Sequence, residues 1–331
     1  RVPAVTGAYE MTVPTNLYQK DSLKGNREDL IDKIFQTSPT ETPIVSAAGR
    51  VTATGTFHEW QRDSLSAANA DNAMIDGDDT ALQAQVATER VGNHCQIFSK
   101  VVGTSRRANL IKKAGRGSEQ AYLKAKAMLE LKRDIEKMVV SNNLAVASTT
   151  SVAGKSGGLG VQLYLNTSHG GSGATASWTT GAPTAALTAG TNRAMTVAFL
   201  NTVQQSVFTN SSAQPDMLVM GPAHKAVFST FTGIAQNRLD TGKKQGAVVT
   251  GADVFIGDFG TVQIVPHYLM SGATDAYLLN MDYIDMAYLD GVKTSDLAKT
   301  GDSEKQLITI DCCLAVRSSA AQGKIANLSG G

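Results

Sequence analysis

The sequence predicts a mixed α+β fold, and three segments carry that reading. Residues 118–147 read as one long charged helix, residues 50–92 as a ribbon with no core of its own, and residues 307–316 as a buried closing strand. Ser118 is the helix's N-cap, placed after the helix-breaking Gly115 and Gly117. Ala121, Ala125, Met128, Leu131, Ile135 and Met138 then recur at three- and four-residue spacing and define one apolar stripe. At 1.5 Å per residue the rod is roughly 42 Å long. The ribbon opens with residues 52–60, which alternate like a strand, while its middle, 66–80, is small, polar and acidic. Two strands alone are marginal in water, so the ribbon either lies on something else or stays unstructured. In the closing strand Ile308, Ile310, Cys312, Leu314 and Val316 share one face, with Thr309, Asp311 and Cys313 on the other.

The remaining elements follow in order. Residues 1–48 form an extended arm broken by Pro3, Pro14, Pro39 and Pro43. One short helix is expected over 27–35, where Leu30, Ile31, Ile34 and Phe35 make a narrow stripe. Thr42-Pro43-Ile44 should enter the next segment extended, because the residue before proline avoids the helical region. A strand over 96–105 leads through the Gly115/Gly117 elbow into the long helix. Residues 148–192 are rich in Gly, Ser, Thr and Ala, with Tyr164 and Trp178 as anchors. A helix over 196–209 carries Phe199, Val203 and Val207. A strand over 217–220 and a helix over 223–231 come next, followed by strands over 254–256, 261–265, 277–280 and 284–289.

Composition narrows the function. Of 331 residues, 42% are hydrophobic and only 18% charged, below the ~25% usual for soluble domains. A polar but weakly charged surface suits broad protein–protein contact. The net charge of +1 argues against a dedicated nucleic-acid binder, which shows a strong basic excess. Charge is nonetheless unevenly placed. Residues 112–137 hold eight Lys/Arg against four acids, whereas residues 196–290 hold eight Asp and four Lys/Arg. Three cysteines, Cys95, Cys312 and Cys313, make no disulfide framework and point to a reducing compartment. No apolar run reaches the ~20 residues that span a bilayer, and no signal-peptide pattern opens the chain. A start at Arg1 in place of Met implies residues upstream.

Chemistry-bearing motifs fail one by one. Ala153-Gly154-Lys155-Ser156 resembles the end of a phosphate loop, but Thr149 stands where the first glycine belongs and a helix precedes it. Asp76-Gly77-Asp78-Asp79 lacks the flanking ligands of a calcium loop, with Met74 at a required oxygen position. His58, His94, His169, His224 and His267 are scattered, and none pairs at metal-ligand spacing. Asn166-Thr167-Ser168 is a glycosylation sequon by letter only. No catalytic residue, cofactor or metal is expected.

Several residue runs, taken in order, carry a resemblance. They are Thr42-Pro43-Ile44, Glu59-Trp60-Gln61-Arg62-Asp63, Arg90-Val91-Gly92-Asn93-His94-Cys95-Gln96-Ile97-Phe98 and Val102-Gly103-Thr104-Ser105. Glu130-Leu131-Lys132-Arg133-Asp134-Ile135-Glu136 and Lys299-Thr300-Gly301-Asp302-Ser303 follow. Each is weak alone; their order and spacing resemble the SU10-like family of tailed-phage major capsid proteins, over most of 40–145 and 195–328.

That resemblance implies the HK97 capsid fold: an N-arm at 1–48, an extended loop at 49–92, a peripheral domain at 93–194 with a spine helix at 118–147, an axial domain at 195–290, and a return to the peripheral domain at 291–331. It implies a major capsid protein that self-assembles into pentamers and hexamers of an icosahedral head around double-stranded DNA. DNA would be touched without sequence preference. The partners implied are further copies of the chain, a portal, a scaffold and a cement protein, with no membrane. The location implied is the virion capsid, assembled in the bacterial host cytoplasm. An encapsulin-like compartment enclosing cargo enzymes shares the fold and is the rival reading. Within this frame Phe57 and Trp60 are the assembly candidates at the loop base, and Lys243 and Lys244 those at the tip of an axial loop. Lys112, Lys113 and Arg116 are the candidates for the inner, DNA-facing surface.

Overall fold

In the computed structural model the chain is described for residues 32–330, apart from 78, 80, 81, 83, 179, 180, 186 and 232–252. Pro43 does not continue an extended segment. It occupies the first turn of α1 (Pro43–Ala47), where its missing N–H has no partner to lose, and Thr42, the N-cap, stands outside the helical region at φ −137° and ψ 76°. Residues 32–35 of the helix expected over 27–35 are not helical, and its earlier part lies outside the described residues. The alternating stretch 52–60 is split between β1 (Gly49–Thr52) and β2 (Phe57–Arg62). The turn between them is held from both sides. Ala53 N–H donates to Tyr288 O at 2.9 Å, and Thr56 O accepts from Cys95 N–H at 2.8 Å.

From there β2 pairs antiparallel with β3 (Glu89–His94), and β4 (Gln96–Ser105) follows. A short α2 (Arg106–Leu110) precedes the long α3 (Glu119–Val139). Ser118 caps α3 as expected, its hydroxyl accepting from Ala121 N–H at 3.3 Å. The helix has 21 residues, about 30 Å, and stops well short of residue 147. Val140 leaves the helical region at ψ 2°. Ser141 then turns its hydroxyl onto Met138 O at 2.7 Å, the local competition that Ser and Asn offer a helix backbone. Gly158 backs against this turn, where a Cβ would stand 2.7 Å from Met138 O.

The apolar stripe is correct only in the second half of α3. Leu131, Ile135 and Met138 are buried, but Ala121 and Ala125 are exposed and Ala127 takes the buried phase. The first half lies beside the edge strand β4, tied to it by the Thr104 hydroxyl donating to Gln120 Oε1 at 2.6 Å.

Next come α4 (Leu159–Gln162), β5 (Thr167–Ser168), α5 (Val197–Ser211), β6 (Met217–Met220), α6 (Pro222–Phe228), β7 (Val254–Gly257), β8 (Gly260–Pro266) and β9 (Ala276–Leu279). The chain then runs through β10 (Ile284–Asp296), β11 (Ser303–Val316) and β12 (Gly323–Ile325).

Two sheets result. The first is ordered β1-β10-β11-β4, with β1 parallel to β10 and the other pairs antiparallel. Its α3-facing side joins Phe98, Met286, Ile308, Ile310, Cys312 and Leu314 to Leu131, Ile135 and Met138 of the helix. The second is ordered β5-β12-β9-β6-β8-β7. One side packs on α5 and α6 through Leu200, Val203, Val207 and Phe228. Val219, Tyr277 and Leu279 of the other side join the α3 core, so the end of the long helix links the two sheets.

Residues 291–331, read from the sequence as one return segment, are split between the two sheets. β11 completes the first sheet, but Gly323–Ile325 pairs with β9 and β5 in the second, and Leu328 is buried in the second core. The Gly/Ser/Thr-rich stretch 148–192 contributes β5 to that same sheet. A three-residue strand and a two-residue strand are too short to show a period, which is why neither was anticipated.

Candidate assembly site

The hairpin formed by β2 and β3 is rooted firmly and ends freely. At its root Asn93 is fully buried. Its amide donates to Ser156 Oγ at 2.9 Å, Gly157 O at 3.0 Å and Leu314 O at 2.7 Å, while its oxygen accepts from Gly157 N–H at 2.8 Å. Gly92 is required beside it, because a Cβ there would stand 2.5 Å from His58 O. One side chain thus joins the hairpin, the 148–192 stretch and β11.

Further out, the Arg62 guanidinium packs 5.3 Å from the Tyr164 ring and 5.2 Å from the Trp178 ring, and pairs with Glu89 at 3.5 Å. Arg90 pairs with Glu59 across the ladder. Phe57 sits against His94, with ring centroids 4.6 Å apart, and Trp60 faces Val91 in the register. Both candidates are half-buried within the chain, and the Trp60 indole N–H has no hydrogen-bond partner among the described residues. Beyond Arg62 the described residues up to 88 form no strand. Leu65, Met74, Ile75, Leu82 and Val86 each stand exposed along this polar segment.

The basic elbow before α3 is more engaged than its composition suggested. Arg116 Nε lies 2.6 Å from Glu119 Oε2 and its guanidinium 5.0 Å from the Tyr122 ring. Lys113 Nζ is 3.5 Å from the same carboxylate. Lys112 is exposed. Two of the three candidate cations therefore share one acid, the first residue of α3. The elbow itself is fixed by Gly115 in the left-handed region at φ 76°, whose N–H donates to Asp32 Oδ1 at 3.1 Å.

The Arg116 hydrogen bond holds the Glu119 carboxyl below its ordinary value. A depressed folded value means the link is present above the unfolded carboxylate range and is lost as pH falls through the folded value. Arg116→Ala is expected to move the Glu119 titration upward, read by carbon NMR of labelled glutamate; an unchanged midpoint would show the link to be idle.

Lys243 and Lys244 lie outside the described residues. Asp253, an acid just beyond this loop, is paired within its own chain to Lys225 at 3.0 Å.

Two buried polar nodes escaped sequence reasoning. Glu136 is fully buried. Its carboxylate accepts from Ile44 N–H and Val45 N–H, each at 2.9 Å, and from His267 Nε2 at 2.9 Å. His267 Nδ1 accepts from Leu269 N–H at 3.2 Å, so the ring proton sits on Nε2 and is donated to Glu136. Glu136 therefore caps α1, joining the end of the arm to α3 and the second sheet. The second node is Lys324, whose Nζ lies 3.2 Å from Asp275 and donates to Gly160 O at 2.9 Å. Asn142 and Tyr277 complete it: the Asn142 amide donates to Asp275 at 3.0 Å, and the Tyr277 hydroxyl lies 3.3 Å from Asn142 Oδ1. A charge beside Ile135 on the buried side of a helix was the one available signal for the first.

Among the described residues no group of three or more His, Cys, Asp and Glu is placed to hold a metal. No described helix is long and apolar enough to cross a membrane.

A long helix laid across a four-stranded sheet, a second sheet at its end and a projecting hairpin together make an HK97-like capsid fold. Solved structures agree on that fold. The cyanophage A-1(L) capsid protein matches with a TM-score of 0.59 at 14% identity, covering 96% of this chain and 100% of that one. The capsid protein of Myoviridae phage XM1 matches at 0.55 and 16%, covering 95% and 100%. The holo-SrpI encapsulin of Synechococcus elongatus PCC 7942 matches at 0.51 and 11%, covering 92% of each.

Sequence comparison is narrower. A major capsid protein of Escherichia phage Phieco32 is 26% identical over 361 residues, covering 97% of this chain and 99% of that protein. The chain belongs to the SU10 major capsid protein family, whose model matches residues 13–329. It is a phage major capsid protein.

Proposed function

We propose that the chain builds an icosahedral phage head of pentamers and hexamers around double-stranded DNA. The observation that carries this is the β2–β3 hairpin, rigid at its root and bearing exposed apolar side chains beyond it. Such a segment leaves large apolar surface unburied within one chain, and a neighbouring copy supplies the missing surface. Residues 1–48 act as the N-arm, 49–92 as the extended loop, β4, α3 and the first sheet as the peripheral domain, and the second sheet as the axial domain. Phe57 and Trp60 stiffen the loop base where it meets a neighbour. Many weak contacts repeated over a shell give collective stability without strong pairwise affinity.

No enzymatic activity is proposed. The elbow with Lys112, Lys113 and Arg116 faces the DNA and meets phosphates without reading bases. Assembly takes place in the bacterial host cytoplasm, with a portal, a scaffold and a cement protein as further partners. The encapsulin match concerns the fold alone, and the family match favours the phage reading.

Electron microscopy of the expressed and purified chain tests the proposal. Shells with five- and six-fold capsomers are expected, with the elbow on the inner surface. A discrete small oligomer would refute the assembly reading, a protein cargo would favour the compartment, and an elbow on the outside would end the DNA assignment. Reversing Lys243 and Lys244 to Glu is expected to lower particle yield and salt tolerance while the soluble chain keeps its melting temperature. Each surface pair contributes only ~0–1 kcal/mol, so the effect comes from repetition around a ring; unchanged particles would remove this loop from the assembly contacts.

A further inference from the structure

The root of the hairpin carries a pair of thiols that the proposed function does not use. Cys95 is the single residue between β3 and β4, and Cys313 lies on β11. The β4–β11 register pairs Gln96 with Cys312, so Cys95 and Cys313 are the next two residues to oppose each other. Their sulfurs lie 3.5 Å apart in a small apolar cluster with Ala53 and Ala287. Cys312 points the other way, into the core beneath α3. Cross-strand neighbours at this separation need only side-chain rotation to reach the ~2.0 Å of a disulfide bond.

We propose that Cys95 and Cys313 form an intrachain disulfide once the chain leaves a reducing compartment and meets a peroxide, stapling the hairpin root to β11. Cys95 is the attacking thiol. Its contact with the Cys313 thiol holds it below the usual thiol range, while the same contact and burial push Cys313 up. Cys95 lies under the turn 53–56, with its sulfur 3.6 Å from Gly55 O, and Thr54 and Thr56 of that turn are exposed. A peroxide enters from that side.

The Cys95 thiolate attacks one peroxide oxygen, the O–O bond breaks, and hydroxide leaves as Cys95 becomes a sulfenic acid. The Cys313 sulfur then attacks the Cys95 sulfur, the S–O bond breaks, and water leaves with the Cys313 proton. Two thiols are oxidised and one peroxide is reduced. Burial pushes the Cys312 thiol up to about 12, so it stays protonated and takes no part.

The test is a thiol count on purified full-length chain, folded or assembled, before and after hydrogen peroxide. Denatured in an alkylating reagent, the chain should fall from three titratable thiols to one, and a reductant should restore all three. Non-reducing peptide mapping should find Cys95 linked to Cys313 in the wild type and in Cys312→Ser, and no link in Cys95→Ser. Three surviving thiols, an unlinked Cys95 sulfinic acid, or a link between two chains would overturn the proposal. The count is read whether or not particles form, so it stands apart from the assembly reading.

Discussion

Deleting residues 66–79 is expected to leave a folded chain that no longer makes particles. The described part of this segment forms no strand, and Met74 and Ile75 lie in the open. Both cores lie elsewhere, and the hairpin root is held by Asn93 and Arg62, neither of which is removed. The melting temperature of the soluble chain should therefore change little. Assembly should suffer, because the deleted residues include Met74 and Ile75, two of the five exposed apolar side chains a neighbour would cover. Sedimentation of the variant reads the outcome directly. Particles in normal yield would show that the segment is not an assembly contact.

The largest effect on folding is expected at Glu136. In Glu136→Gln one oxygen still accepts from Ile44 N–H and His267, but the amide nitrogen faces Val45 N–H, donor against donor. Glu136→Ala leaves all three donors buried with no acceptor. Each buried donor left without an acceptor costs about 1–3 kcal/mol, so three of them are a large share of the ~5–15 kcal/mol that holds a domain folded. The denaturant midpoint should fall in both variants, further in Glu136→Ala, with the arm at α1 released first. A midpoint unchanged in Glu136→Ala would mean that α1 is anchored by its apolar side chains Ile44 and Val45 alone.

What the sequence disclosed follows physical period. β11 alternates over enough residues for its two faces to separate cleanly, and Cys312 and Cys313 fall on opposite sides as that alternation requires. α3 was legible because Ser118 and the glycines before it mark a start. Its end was not, since residues 140–147 lack a strong breaker, and the stop shows only in the Ser141 hydroxyl turned onto Met138 O and in Gly158 packed against that turn. The arm's entry was misread at Pro43, where a proline suits a first helical turn as well as an extended segment. At the elbow composition counted cations without their partner, and Glu119 turns Lys113 and Arg116 inward to itself. Asn93 and Lys324 were silent, and Glu136 showed only as a charge on the buried side of its helix, because each is defined by donors and acceptors brought from distant segments.

The pairing of β4 with β11 sets a clock on synthesis. Some two hundred residues separate the two strands, and the ribosome needs on the order of ten to forty seconds to make them. Throughout that interval β4 lacks its β11 neighbour, Phe98 lacks the Ile310 that opposes it, and the carbonyl of Leu314 that secures Asn93 does not yet exist. The hairpin is therefore aimed last. A half-made chain has no fixed hairpin to offer a neighbour.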